Sequence, residues 1–300
     1  MNVLKKDQVQ IMLQVLVATL LFRFVLFETL VNDLGLSKLN FFLYLIALAV
    51  IMYGGVLLYR IVLQEEFPDK HIQKNTEKAY YSYLGVNVVG IVISFFVSSG
   101  IEKTYYFGFF LALAAIIYLY ITQWRKILVF DNVVYALIIS FPFFMLVMAD
   151  LMPSLQTIEV RDQNDLKSIL LNISLQISGL LWLLYFVKTI LIDLKFMELD
   201  IKHKRKSLAT LHGREIGAKR TTFLSLIPLV LIIVFCLIHL NLSYLVGYVA
   251  VAVILPYLFY LSKLWKAKST EDFNSVNNIL NIIIWLTIFS IVVLFFQFKI

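Results

Sequence analysis

The segment from Asp193 to Glu215, DLKFMELDIKHKRKSLATLHGRE, gathers carboxylates and cations inside a chain that is 61% hydrophobic. Asp193 and Asp200 are seven residues apart. On a continuous helix they face the same way, with Cα atoms about 10 Å apart. Glu198 points roughly 140° away from Asp193 on that helix. Lys202, Lys204, Arg205 and Lys206 follow, and Arg214 comes after Gly213. Two carboxylates at a membrane interface can hold Mg2+ when a phosphate supplies further oxygens. Carboxylates followed by cations therefore suit a metal–diphosphate complex. A positively charged anchor with solvated acids has the same pattern, and the segment alone does not choose between them.

Two further clusters carry charge next to apolar runs. YLYITQWRKILVFDN, residues 118–132, places Arg125 and Lys126 beside Tyr118, Tyr120 and Trp124, which reads either as a basic pair for a phosphate or as an interfacial belt with snorkelling cations. YGGVLLYRIVLQEEFPDKH, residues 53–71, has Gly54 and Gly55, which permit close helix packing. Its Arg60 either faces a cavity or snorkels. Glu65, Glu66, Asp69, Lys70 and His71 complete that cluster. Arg23 lies deeper in an apolar run, and Glu28 is not on its face. A lone intramembrane Arg is a functional candidate by default, and a structural pair inside a bundle is the other reading. His71, His203, His212 and His239 show no ligand spacing, and the single Cys236 reads as a small buried hydrophobe. The phosphate loops, zinc motifs and nucleophile elbows of soluble enzymes are absent.

The elements that must position these residues are transmembrane helices. Mean hydropathy is +0.88. Charged residues are 15% of the chain, against about 25% in ordinary soluble domains. Apolar runs of about 20 residues predict nine spans, at 9–31, 39–63, 80–99, 104–123, 132–152, 166–191, 217–238, 243–263 and 275–297. The fold class is thus all-α, a polytopic bundle forming one integral membrane domain over residues 1–300. The first run reads as a helix and not as a removed signal peptide, since no small-residue cleavage site follows it. The net charge of +7 reads as loop charge that sets topology, not as a nucleic-acid surface. Lys and Arg concentrate in the N-terminus and in 64–79, 124–131, 192–216 and 264–274. The positive-inside rule then places the N-terminus in the cytoplasm and the C-terminus outside. Spans two and six both lead into long charged loops, a pattern that fits an internal duplication of four helices.

Together the clusters resemble the UbiA superfamily of intramembrane prenyltransferases. KSLATLHGR, residues 206–214, is similar to that family's K-T-L-x-x-x-x-G-R segment, which follows its second Asp-rich motif. Asp193 and Asp200 fall where that motif has its first and last acids, and Phe196 where many members have a middle one. YITQWRKILVFDNVVYALI resembles the family's Y-S-x-x-(L)-K-R-x-x-x-x-G-N segment, with Arg125 and Lys126 on the basic pair and Asp131 in place of the Gly. Residues 36–63 resemble the second helix of bacterial members, with Gly55 matching. The first motif, N-D-x-x-D-x-x-x-D, departs from the pattern: Tyr59 stands for the Asn, and Arg60, Leu63 and Phe67 stand for the acids. Glu65, Glu66 and Asp69 are nearby but out of register, and whether they replace the missing acids stays open.

The resemblance implies a nine-helix UbiA-like bundle in a bacterial cytoplasmic membrane, with a cytoplasmic-side cavity. It implies a prenyl diphosphate and a hydrophobic aromatic or lipid acceptor as partners. Asp193 and Asp200, with Glu198, would hold Mg2+, at one site where the family has two. Arg60, Arg125, Lys126 and Lys206 would clamp the diphosphate. Arg60 can bind phosphate bidentately and stand in for the lost metal's charge. A non-catalytic relative that binds an isoprenoid lipid or serves as an assembly partner is the alternative. A transporter is a third reading, and no pair of broken helices points to it.

Overall fold

Hydrocarbon offers the backbone no water, so each spanning segment must satisfy its own N–H and C=O groups, and a helix does so. The computed structural model describes residues 2–31, 34–66, 76–155, 161–202 and 207–299. Among these residues nine helices are long and apolar enough to cross a membrane: α1 (Val9–Leu30), α2 (Lys38–Val62), α3 (Glu77–Gly100), α4 (Thr104–Thr122), α5 (Phe130–Pro153), α6 (Leu166–Lys195), α7 (Ala209–Ile238), α8 (Ser243–Lys266) and α9 (Thr270–Lys299). All nine predicted spans are therefore present. The helix that carries α1 begins before the apolar span, at Asn2.

The segment 192–216, which the hydropathy pattern places in a loop, is largely helical. α6 continues to Lys195, a turn at Phe196 follows, and the short helix Met197–Lys202 comes next. The helix of α7 starts at Leu208 behind a capping box. The Ser207 N–H donates to Thr210 Oγ1 at 2.8 Å, and the Thr210 N–H donates to Ser207 Oγ at 3.3 Å. Reciprocal bonds of this kind satisfy helix-end donors and so start a helix locally. Gly213 breaks it again, with φ 74° and ψ 170°, a backbone region that only glycine occupies without strain.

Packing divides the bundle. α2 lies against α3 and α4. Gly54 and Gly55 allow this approach, as the sequence led one to expect: a Cβ would stand 2.5 Å from Asn87 Nδ2 on α3 or 2.6 Å from Ile117 Cγ2 on α4. α6 packs on α5, α7 and α9, and α1 lies between α5 and α9. α5 and α6 are the most deeply buried spans.

Arg23 is a structural pair. It sits on a π-helical stretch of α1, Leu21–Phe27, at the end of the bundle opposite Asp193. Its Nη2 donates to the Leu36 carbonyl at 2.8 Å, and its Nε lies 3.6 Å from Asp150 Oδ2 on α5. Asp150 Oδ1 accepts the Leu36 N–H at 3.0 Å, and the Asp150 carbonyl accepts the Gly35 N–H at 2.9 Å. The α1–α2 connection is thereby fastened to α5. A side chain at Gly35 would collide with the Ala149 carbonyl oxygen. Glu28 pairs elsewhere, with Lys38 at 2.8 Å.

Candidate functional site

At the charged end, the start of α5 is bound to the end of α6. The chain approaches α5 through a tight turn, Trp124–Lys126, and through Val129, whose φ is +64°. A β-branched residue at positive φ is strained, so neighbouring contacts must hold it. Asp131 and Asn132 follow, both buried. Asp131 Oδ1 accepts the Asn132 N–H at 2.7 Å. The Asn132 side-chain amide donates to Asp193 Oδ2 at 2.9 Å. Thr189 Oγ1 reaches the Asn132 carbonyl at 3.4 Å. These bonds fix the Asp193 carboxylate from the α5 side.

The helical spacing sorts the acids. Asp193 is 5% exposed and Asp200 8%. Glu198 turns outward, its side chain 77% exposed, and pairs with Arg214 at 3.1 Å. Its placement across the helix from Asp193 matches the roughly 140° offset of five helical positions.

The opposite face of α6 holds a second polar cluster, which the sequence reading did not single out. Lys195 Nζ lies 2.8 Å from Asp7 Oδ2, and Asn277 Nδ2 on α9 donates to Asp7 Oδ1 at 3.1 Å. Two turns deeper, Lys188 Nζ and the Tyr185 hydroxyl each lie 3.5 Å from Gln14 Oε1 on α1. Gln14 Nε2 donates to the Asn281 carbonyl at 3.4 Å. Each of these residues is buried. Tyr185, Lys188 and Lys195 recur at intervals of three and seven, a helical stripe, and that spacing was the available signal.

The diphosphate candidates are dispersed. Arg125 stacks over the Tyr59 ring at 5.4 Å, joining the end of α4 to the end of α2. Lys126 is exposed. Arg60 is also exposed, on a helix that packs against α3 and α4, whereas Asp193 is buried between α5 and α6. Glu65 accepts a hydrogen bond from the Tyr80 hydroxyl at 3.2 Å, within the α2–α3 hairpin. Lys204, Arg205 and Lys206 lie outside the described residues, as do Asp69, Lys70, His71 and His203 and the side chains of Glu66 and Lys202.

The donor chemistry bears on Mg2+. Asp193 and Asp200 both offer hard oxygens from buried positions, on either side of the turn at Phe196. Among the described residues no group of three His, Cys, Asp or Glu side chains comes together to hold a metal. Two carboxylates are too few to chelate Mg2+ by themselves. They fit an ion that arrives with a diphosphate, whose oxygens and bound waters complete the octahedron.

No protein-family model matches the chain, and no curated protein matches it. A solved structure of digeranylgeranylglyceryl phosphate synthase in membranes superposes with a TM-score of 0.62, over 96% of this chain and 95% of that one, at 17% identity. Likeness at that identity speaks for the fold. The chain is an integral, multi-pass membrane protein whose all-α fold is similar to that of this synthase.

Proposed function

We propose that the protein is a divergent UbiA-type prenyltransferase. It takes a prenyl diphosphate at the charged end of the bundle, which faces the cytoplasm, and transfers the prenyl group to an aromatic or lipid acceptor. The observation that carries this reading is the pair Asp193 and Asp200, both buried, one at the end of α6 and one on the short helix that follows, within a fold like that of a digeranylgeranylglyceryl phosphate synthase. The concentration of Lys and Arg at that end supports the orientation.

In the proposed reaction the allylic C–O bond breaks and its electron pair leaves on the diphosphate. The allylic carbon then bonds to the acceptor, which gives up a proton. Mg2+, when bound, neutralises charge on the leaving diphosphate. Asp193 and Asp200 would hold that ion, with the Asp193 carboxylate already oriented by Asn132. Arg125, Lys126, Lys206 and Arg60 are the proposed phosphate clamp. Arg125 would swing in from Tyr59, and Glu198 would contribute only after leaving Arg214. The apolar walls of the bundle would keep water from the allylic cation.

One observation favours a second reading. The metal donor set is sparse, and Glu198 is committed to Arg214. A bundle that binds an isoprenoid lipid without transferring it would have the same features. Binding of a labelled prenyl diphosphate to the purified protein, with and without Mg2+, separates the two. Mg2+-dependent binding that Asp193→Ala abolishes supports the transferase. Binding that ignores both Mg2+ and Asp193 supports the non-catalytic reading, and no binding removes the transferase.

A further inference from the structure

We propose that Lys188 and Lys195 form a binding site for a small phosphate- or carboxylate-bearing anion, on the face of α6 turned away from Asp193. The argument starts from charge. Among the described residues, the cluster between α1, α6 and α9 holds two buried lysines, Lys188 and Lys195, against one buried carboxylate, Asp7. Asp7 is fully engaged, with Lys195 on one oxygen and Asn277 on the other. Lys188 is 0% exposed, and its hydrogen bond is to the neutral Gln14 amide at 3.5 Å. An ammonium in a membrane interior is costly and is normally matched by a partner or retained for a ligand.

A second observation comes from α9. Asn277 and Asn281 are one helical turn apart, and Oδ1 of each is buried without a hydrogen-bond partner. Both flank the same cluster, Asn277 through Asp7 and Asn281 through Gln14. A ligand that brings an oxyanion to Lys188 and a hydroxyl or bound water to these oxygens satisfies both deficits. The charges within reach of Lys188 are Asp7 and Lys195, and the Tyr185 hydroxyl shares Gln14 with it. Among the described residues the cluster therefore sets two amines against one carboxylate, and an oxyanion would complement it. The site does not rest on the prenyltransferase reading, because it uses neither Asp193 nor a metal.

The test uses thermal unfolding of the full-length protein with EDTA present, so that no metal-dependent diphosphate binding contributes. Inorganic pyrophosphate and benzoate are titrated in neutral detergent. A parallel arm compares phosphatidylcholine nanodiscs with and without phosphatidic acid, which separates a free anion from a lipid headgroup. The proposal expects one of these anions to raise Tm by several degrees in wild type and in Asp193→Asn. It expects Lys188→Met to have a higher Tm than wild type without anion and to lose the anion-induced shift. If Lys195→Met does not fold, Lys188→Met alone decides. An undiminished shift in Lys188→Met, or no shift in wild type with any of the anions, overturns the proposal. Loss of prenyl diphosphate binding in Asp193→Ala, with the anion shift intact, would show the two sites standing or failing separately.

Discussion

Asp193 and Lys195 are two residues apart at the end of α6 and are buried against opposite neighbours. The carboxylate accepts from Asn132 on α5 at 2.9 Å, and the ammonium lies 2.8 Å from Asp7 at the start of the first helix. One helix end thus presents negative charge to one side and positive charge to the other.

The Asp7–Lys195 pair is nearly water-free, with side chains 8% and 5% exposed. Asp7→Ala leaves the ammonium buried without its counter-ion and should cost about 3–5 kcal/mol. The double variant Asp7→Asn with Lys195→Met should recover most of that loss. Thermal unfolding in detergent measures both, and equal destabilisation in single and double variants would contradict the pairing.

Asp150→Ala should destabilise by a similar amount, about 3–5 kcal/mol. It removes the Arg23 partner and the acceptor of the Leu36 N–H together. Because this latch is at the opposite end from Asp193, prenyl diphosphate affinity of the folded fraction should not change. Equilibrium binding in detergent checks this, and a tenfold loss would make Arg23 part of the site.

Gly213→Ala places a Cβ on a backbone that only glycine tolerates, at φ 74° and ψ 170°. The expected cost is about 1–3 kcal/mol. The space around Gly213 is open, so the effect comes from backbone strain and not from a clash. Gly35→Ala is the contrasting case, a collision with the Ala149 carbonyl, and comparing their Tm values tests the distinction.

Asn132→Ala deletes the donor that orients Asp193. If Asp193 carries a metal–diphosphate complex, Mg2+-dependent prenyl diphosphate affinity should fall about 10–100-fold, as is usual for partners of metal ligands. Affinity measured in EDTA should be unchanged. An equal fall under both conditions would assign Asn132 to folding alone.

The nine spans were legible because length and apolar content decide whether a segment crosses a bilayer. The close packing at Gly54 and Gly55 was legible for a similar local reason. Partners across the fold were not. Arg23 is visible in its apolar run, but Asp150 on α5 announces itself only when the end of α1 is brought beside it. Lys188 and Lys195 fall in a stretch whose hydropathy hides a polar stripe, and their neighbours come from both ends of the chain. The helix through Met197–Lys202 was considered from the spacing of its acids and not from hydropathy, which marks where a membrane ends and not where a helix does. The spacing set Glu198 apart from Asp193 and Asp200, since that depends on helical geometry alone, but it did not say which side is buried.

Asp7 has a practical consequence for anyone trimming this chain. It precedes the apolar span that starts at Val9, so any hydropathy profile would treat it as a dispensable leader. It nonetheless occupies the interior, joined to α6 through Lys195 and to α9 through Asn277. The folding boundary and the membrane boundary do not coincide here. A shortened chain that begins at Val9 would keep every transmembrane segment and still lose the residue that ties the first of them to the sixth and the last.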